Sequence, residues 1–333
     1  MRTLKIGAVP HNTDGSGYYR FYLPFQHLAE QSMHIYAATA PGPAPSLQQI
    51  EGFDVLALQR PAGRAGTHLL EQYMGHGIKL VYETDDDMLN VDSSGLPHLH
   101  AEQARESVRR CLRLVDMVTV TNEYLADTIR PYNDNIRVLP NHVKAGLLTL
   151  ARPKADRLTI GWAGGTSHLV DMVEIEEPLR EVLTDNPAVG MHFIGHDLSP
   201  LLRGLRARAR WTGWQQDVGA YYKLVDFDIA VAPSADIPFN RAKTWLRALE
   251  MGAMGIPVVA ANRLPYSDYV IDGKTGYLVN TPEEWRSRLN DLIHDEAMRA
   301  EMGAAGKEQA AGWTIEDGWK LWESAYESVV SDG

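Results

Sequence analysis

The chain has 333 residues, 44% of them hydrophobic and 23% charged, with a formal net charge of −11 at pH 7. That length is enough for two domains with their own cores, and the acidic balance argues against a large non-specific nucleic-acid surface. A single cysteine, Cys111, rules out an intrachain disulfide framework and disfavours a cysteine-based zinc site.

Apolar strand patterns alternate with amphipathic helices, which points to α/β architecture. The opening Leu4–Val9 is too short for the core of a signal peptide. The longest apolar run, Met251–Ala261, falls short of the roughly 18 residues a membrane-crossing helix needs. A soluble, cytoplasmic chain is therefore expected. In the first half, strands are predicted at Leu4–Val9, His34–Ala38, Asp54–Gln59, Lys79–Glu83, Met117–Thr121 and Ile136–Leu139. Val108, Cys111, Leu112 and Val115 recur at helical spacing between the last of these.

Near residue 150 the pattern stops and restarts. Lys144–Arg157, with Pro153 and several charges, reads as a linker. A strand at Thr159–Ala163 then meets a glycine-rich turn, and further strands are predicted at Met191–Gly195, Ile229–Ala232, Pro257–Ala260 and Tyr277–Val279. Thr281-Pro282-Glu283-Glu284 carries a cap residue, a first-turn proline and a glutamate three residues after the cap. Thr314 and Asp317 repeat the device more weakly before a last helix whose Ile315, Trp319, Trp322, Tyr326 and Val329 share one face. That aromatic stripe reads as packing rather than a ligand site. The expectation is two doubly wound domains facing a cleft, 1–150 and 151–312, with 313–333 as a helix returning toward the first. Ligands of such sheets bind outside the carboxyl ends of the strands.

Five segments are candidates for chemistry. After the first strand, Gly15 and Gly17 with Arg20 form a turn that suits an anion, or a plain tight turn. No acidic residue ends the second strand, so a nicotinamide dinucleotide is poorly supported. Asp85, Asp86 and Asp87 follow the fourth strand; they read as ligands of a divalent metal, as hydrogen-bonding or basic groups toward a sugar or acceptor, or as a solvated loop. Gly164, Gly165, Thr166 and His168 form a strand-to-helix turn that suits a diphosphate, with His168 and Asp171 in the first helical turn. Lys243 and Glu250, seven residues apart, fall on one face of a predicted helix, roughly 10 Å apart along its axis. That spacing matches a pyrophosphate at the cation and a ribose at the carboxylate. Finally, Arg105, Arg109 and Arg113, with Arg110 beside them, and Arg203, Arg206, Arg208 and Arg210 are basic clusters: solvated faces, or contacts to an anionic acceptor or a membrane surface.

At these residues the sequence resembles GT-B fold glycosyltransferases, near the large retaining family four. The resemblance covers most of the chain. It includes Tyr19-Arg20, Val115–Thr121, Val138–Asn141, Ile160–Gly164, Trp211–Trp214, Tyr222–Pro233, Asp272–Tyr277 and, most specifically, the FNRAKT…LE…GIPVVA block at Phe239–Ala260. The family's signature has two glutamates eight residues apart; Glu250 matches the second, while the first position is Ala242. The sequence is closer to a sub-group with F-N-x-x-K-[ST]. The resemblance implies that Glu250 holds the nucleotide ribose and Lys243 the diphosphate, with Asn240, Arg241, Thr244 and Asp236 nearby as candidate donor or sugar contacts. It also places Asp85 and Asp86 where family members often carry a histidine, which favours a sugar or acceptor contact over a metal.

The expected function is retaining, metal-independent transfer from a UDP-, GDP- or other nucleoside-diphosphate sugar to a hydroxyl acceptor, with no further cofactor. Asp85, Asp86 and Lys243 are the expected catalytic residues, and Asp87, Arg105 and Arg109 the expected acceptor contacts. The acceptor stays open among a glycan, a lipid-linked glycan, a protein and a modified DNA base, the last disfavoured by the net charge. A sugar-nucleotide epimerase on the same fold and a non-catalytic sugar-nucleotide or glycan-binding protein are the rival readings.

Overall fold

A computed structural model of the chain describes residues 2–42, 44–91, 102–205 and 208–331. Its contacts divide it into two compact units. One holds Met1–His142, Ala242–Thr244 and Ile315–Gly333; the other holds Val143–Arg241 and Trp245–Thr314.

The first unit is built on a six-stranded sheet in the order β2-β1-β3-β4-β5-β6. Its strands are β1 (Lys5–Val9), β2 (Ile35–Ala38), β3 (Val55–Gln59), β4 (Lys79–Glu83), β5 (Met117–Val120) and β6 (Ile136–Val138). All the pairings are parallel. The central strands read as near-continuous apolar runs, and β3 and β5 are buried along their full length, as expected of a sheet covered on both faces. The strand order reverses between β1 and β3, which makes the carboxyl ends of these two strands the natural place for a ligand. The predicted helix over Val108–Val115 is observed as Glu102–Leu114, with Val108, Cys111 and Leu112 buried.

The terminal helix, Ile315–Ser331, buries Ile315, Trp322, Ala325, Tyr326 and Val329 within this same unit. Tyr326 packs edge-on against Phe25 at 5.7 Å between ring centroids. Ile315, Trp322, Tyr326 and Val329 of the stripe are therefore core, while Trp319 is half-buried beside His27.

The second unit carries another six-stranded parallel sheet, in the order β12-β11-β10-β7-β8-β9. Its strands are β7 (Thr159–Gly164), β8 (Gly190–Gly195), β9 (Ala209–Gly213), β10 (Ile229–Ala232), β11 (Val258–Ala261) and β12 (Gly276–Val279). Counted within the unit, the order is 3-2-1-4-5-6 read from the β9 edge, that of dinucleotide-binding sheets, with its reversal between β7 and β10. Trp162 and Phe193 anchor the core with no exposed surface. The helix Pro282–His294 begins as predicted, with the Thr281 hydroxyl accepting from the Glu284 backbone N–H.

One strand was missed. β9 pairs with β8 from Met191↔Ala209 to Gly195↔Gly213, yet its sequence, ARWTG, sits inside the second arginine cluster and shows no apolar run. It is an edge strand with Arg210 and Trp211 exposed, so little burial is written into it. Arg208 donates to the Asn186 carbonyl at 3.0 Å and Arg210 pairs with Asp226, while Arg206 lies outside the described residues. Two members of that cluster thus have structural partners.

Candidate functional site

In the first unit, the turn after β1 is drawn tight by Asn12. Its Oδ1 accepts from the Gly17 backbone N–H at 2.8 Å, and a Cβ at Gly17 would stand 1.9 Å from the Asn12 carbonyl oxygen. Only glycine fits there. The same contact occupies the Gly17 N–H, so it does not serve as the phosphate donor expected of it. Gly15 supplies the left-handed turn at φ 39°.

Arg20 is not a phosphate ligand either. It has no exposed surface, and its donors are consumed inside the unit. Nε donates to Glu83 Oε1 at 2.5 Å, and Nη1 to the Leu139 carbonyl and to Asn141 Oδ1 at 2.5 and 2.9 Å. The guanidinium lies 4.8 Å from the Trp322 ring. Burial pushes the Glu83 carboxyl up to about 7 against the pull of Arg20.

The acidic triplet splits into three environments. Asp87 is buried and closes a local turn: Oδ1 accepts from the Leu89 and Asn90 backbone N–H groups and Oδ2 from the Asn90 amide. It is a structural cap, not the acceptor contact expected. Asp86 accepts from Arg60 Nη1 at 2.8 Å, and Asp85 lies 3.8 Å from the same nitrogen. Burial and then the Asp85 charge raise the Asp86 carboxyl, while Arg60 and Lys243 lower it.

Arg60 went unnoticed in the sequence. An arginine after an apolar strand has no local signature, and its partners lie 26 and 44 residues away in sequence. Lys243 and Thr244 belong to the same unit. The Asn122 amide donates to the carbonyls of Ala242 and Lys243 at 2.7 and 2.8 Å, and the Asn141 amide to the Thr244 hydroxyl at 3.2 Å.

Arg109 makes ion pairs with Glu102 and Glu106, and Arg105 lies 3.8 Å from Glu102. The helix Glu102–Leu114 thus carries an ion-paired surface stripe. Lys243 and Glu250 do not share a helix. Pro238–Arg241 forms one short helix and Leu246–Ala253 the next, so Lys243 sits in the bend between them.

In the second unit, β7 ends in the turn Gly164-Gly165 and a short helical turn over Thr166–His168. His168 Nδ1 bonds to Asp171 Oδ2 at 2.7 Å. Asp171, buried in turn, accepts at Oδ1 from the Ala235 backbone and from the Asn240 amide at 2.8 and 2.6 Å. Asn240 therefore braces the segment after β10 rather than presenting its amide to a donor. Arg241 pairs with Asp236 on the surface.

Glu250 is 7% exposed, with the Tyr221 and Tyr222 hydroxyls each 3.4 Å from its carboxylate oxygens. Burial and then the Glu250 charge raise the Tyr221 hydroxyl well above its ordinary range, so that phenol stays a neutral donor. One turn earlier, Arg247 donates from Nε to the Ala163 carbonyl and from Nη1 to the Tyr266 hydroxyl, both at 2.8 Å. A Cβ on Gly164 would meet its Nη2 at 2.8 Å. The cation beside the glycine turn in this unit is thus Arg247, missed in the sequence although its i, i+3 spacing to Glu250 puts both on one helix face.

Residues 198–309 match the family of glycosyl transferases group 1. The matched stretch takes in Tyr221, Tyr222, Arg247 and Glu250. The chain is 36% identical over 107 residues to a D-inositol 3-phosphate glycosyltransferase of Corynebacterium diphtheriae, an alignment covering 32% of this chain and 23% of that protein. The chain thus spans about a quarter of that relative's length.

Among solved structures, the chain superposes on Anabaena Alr3699/HepE in complex with UDP-glucose with a TM-score of 0.69 and 15% identity, over 98% of this chain and 100% of that one. It superposes on a sucrose-phosphate synthase from Thermosynechococcus elongatus with a TM-score of 0.68 and 16% identity, over the whole of both. The fold is GT-B. Among the described residues, no helix is long and apolar enough to cross a membrane.

Proposed function

We propose that the protein is a retaining glycosyltransferase that moves a sugar from a nucleoside-diphosphate sugar to a hydroxyl acceptor. The observation that carries this reading is the Arg247–Glu250 pair on one helix, within the stretch that matches the family. A guanidinium stands at the glycine turn that ends β7, where a diphosphate finds both charge and close backbone approach. A buried carboxylate with the Tyr221 and Tyr222 hydroxyls beside it suits the two hydroxyls of a ribose. Lys243 is assigned the negative charge that develops on the leaving diphosphate. Asp86, with Asp85 beside it, is assigned a hydroxyl of the transferred sugar or of the acceptor. The similar structure in complex with UDP-glucose and the D-inositol 3-phosphate glycosyltransferase among its relatives support a sugar nucleotide and a hydroxyl compound as the two substrates.

A thermal-shift screen of nucleotide sugars, followed by mass spectrometry of candidate acceptors with the best donor, tests the reading. One nucleoside diphosphate should raise the Tm. Glu250→Ala should weaken it by about 1.5–3 kcal/mol, tenfold or more in Kd. Conversion of the sugar nucleotide to an epimer with no acceptor present, seen by chromatography, would instead identify an epimerase.

Activity is expected to persist in EDTA. Asp87 is committed to its turn and Asp86 to Arg60, which leaves the triplet short of the several oxygen ligands a hard divalent cation takes. A strong dependence on Mn²⁺ would overturn this.

A further inference from the structure

Arg60 follows the carboxyl end of β3, at the reversal of strand order in the first sheet. Among the described residues it is the one non-glycine with a left-handed backbone, at φ 49°. For a bulky side chain that conformation is uncommon, persists only where the surroundings impose it, and clusters at functional sites. Glycine would adopt it without strain, so the side chain's own contacts must offset the cost.

Those contacts all lead to one place. The Arg60 backbone N–H donates to the Glu83 carbonyl at 2.9 Å, which fixes the chain against β4. Nη1 donates to Asp86 Oδ2 at 2.8 Å and lies 3.8 Å from Asp85 Oδ1, while Nη2 donates to Ser16 Oγ at 3.1 Å. The side chain is only 11% exposed. One guanidinium thus ties the turn after β1 to the acidic residues after β4, across the carboxyl edge of three neighbouring strands.

We propose that Arg60 is a positioning residue: it holds the Asp86 carboxylate and the Ser16 turn as one rigid acceptor of a substrate hydroxyl. This rests on the glycosyltransferase reading above, in which Asp86 meets that hydroxyl. The charged groups facing Asp86 are Arg60, Asp85, Lys243 and the neighbouring Asp87. Burial and Asp85 favour the neutral acid, and Arg60 and Lys243 favour the carboxylate. Removing Arg60 should therefore raise the pH at which Asp86 ionises and loosen its orientation.

The test is a carboxyl-¹³C NMR titration of Asp86, assigned with Asp86→Asn, together with the pH profile of kcat/KM. In Arg60→Gln the midpoint should rise by about one unit or more, and the acidic limb of kcat/KM should move to higher pH with it. Arg60→Lys should restore most of the midpoint but only part of kcat, because one ammonium does not reproduce the guanidinium fork toward Ser16 and Asp86. Arg60→Gly removes the charge and the backbone strain together, so it gives the same titration even if the glutamine variant folds poorly.

An unmoved midpoint in both variants of a wild-type protein that transfers sugar would overturn the role of Arg60 alone. A moved midpoint in a wild-type protein that turns over no sugar nucleotide would overturn the glycosyltransferase reading, and with it the hydroxyl assigned to Asp86.

Discussion

Lys243→Ala is expected to lower kcat for sugar transfer by about two to three orders of magnitude, the usual cost of losing one preorganised group from a developing oxyanion. What fixes this bend is the pair of backbone carbonyls at 242 and 243 that accept from the Asn122 amide, and alanine keeps both. Lys243 is half-buried and faces Asp86, so its loss should also cost stability, by about 0.5–3 kcal/mol. Steady-state kinetics with the best donor, paired with thermal unfolding, checks both halves. A kcat within about threefold of the parent would show that the ammonium does not meet the leaving group and would shift that role to Arg247.

The bend at Lys243 also shows where sequence reading stops. From Phe239 to Met251 the chain has no glycine or proline, and its periodicity reads as one helix. The helix breaks because the Ala242 and Lys243 carbonyls take their hydrogen bonds from a side chain 120 residues earlier in the sequence. Local pattern has no access to such a partner. The strands were legible for the opposite reason: runs such as Val55–Gln59 and Ile229–Ala232 are buried throughout, so their signal lies in their own residues. β9 escaped because an edge strand bearing Arg210 and Trp211 buries too little to show one.

The candidate site divides along the same line. The turn at Gly164-Gly165 and the helix that carries Glu250 were readable as local structure, since a glycine turn after a strand and an amphipathic period are local features. Arg20 and Asp87 were read as ligands because a charged residue near a ligand-type turn looks available until its partners are known. Arg60 and Arg247 were passed over, although each stands at the carboxyl end of a strand beside a sheet's order reversal.

The misreading of Arg20 leads to the second large effect, on stability. Both members of the Arg20–Glu83 pair have side chains with no exposed surface, and breaking a buried pair from one side costs about 3–5 kcal/mol because the other charge is left uncompensated. Arg20→Met should lose an amount of that order at pH 8. The pH dependence follows from Glu83, whose carboxyl burial raises from 4.5 to about 7. A carboxyl raised on folding contributes stability that is complete below about 4.5 and is lost as pH climbs through its folded value. Without Arg20 that folded value rises further. The deficit of Arg20→Met relative to the parent should thus be smallest near pH 5, where Glu83 is protonated in the folded variant, and should grow toward pH 8. Adding Glu83→Gln removes the stranded charge and should recover much of the loss at pH 8 but little at pH 5. Urea midpoints of the parent, both single variants and the double variant at the two pH values decide it. A deficit that is independent of pH, or not relieved by Glu83→Gln, would mean that Arg20 stabilises the unit through its packing on Trp322 and its bonds to Leu139 and Asn141, with the ion pair contributing little.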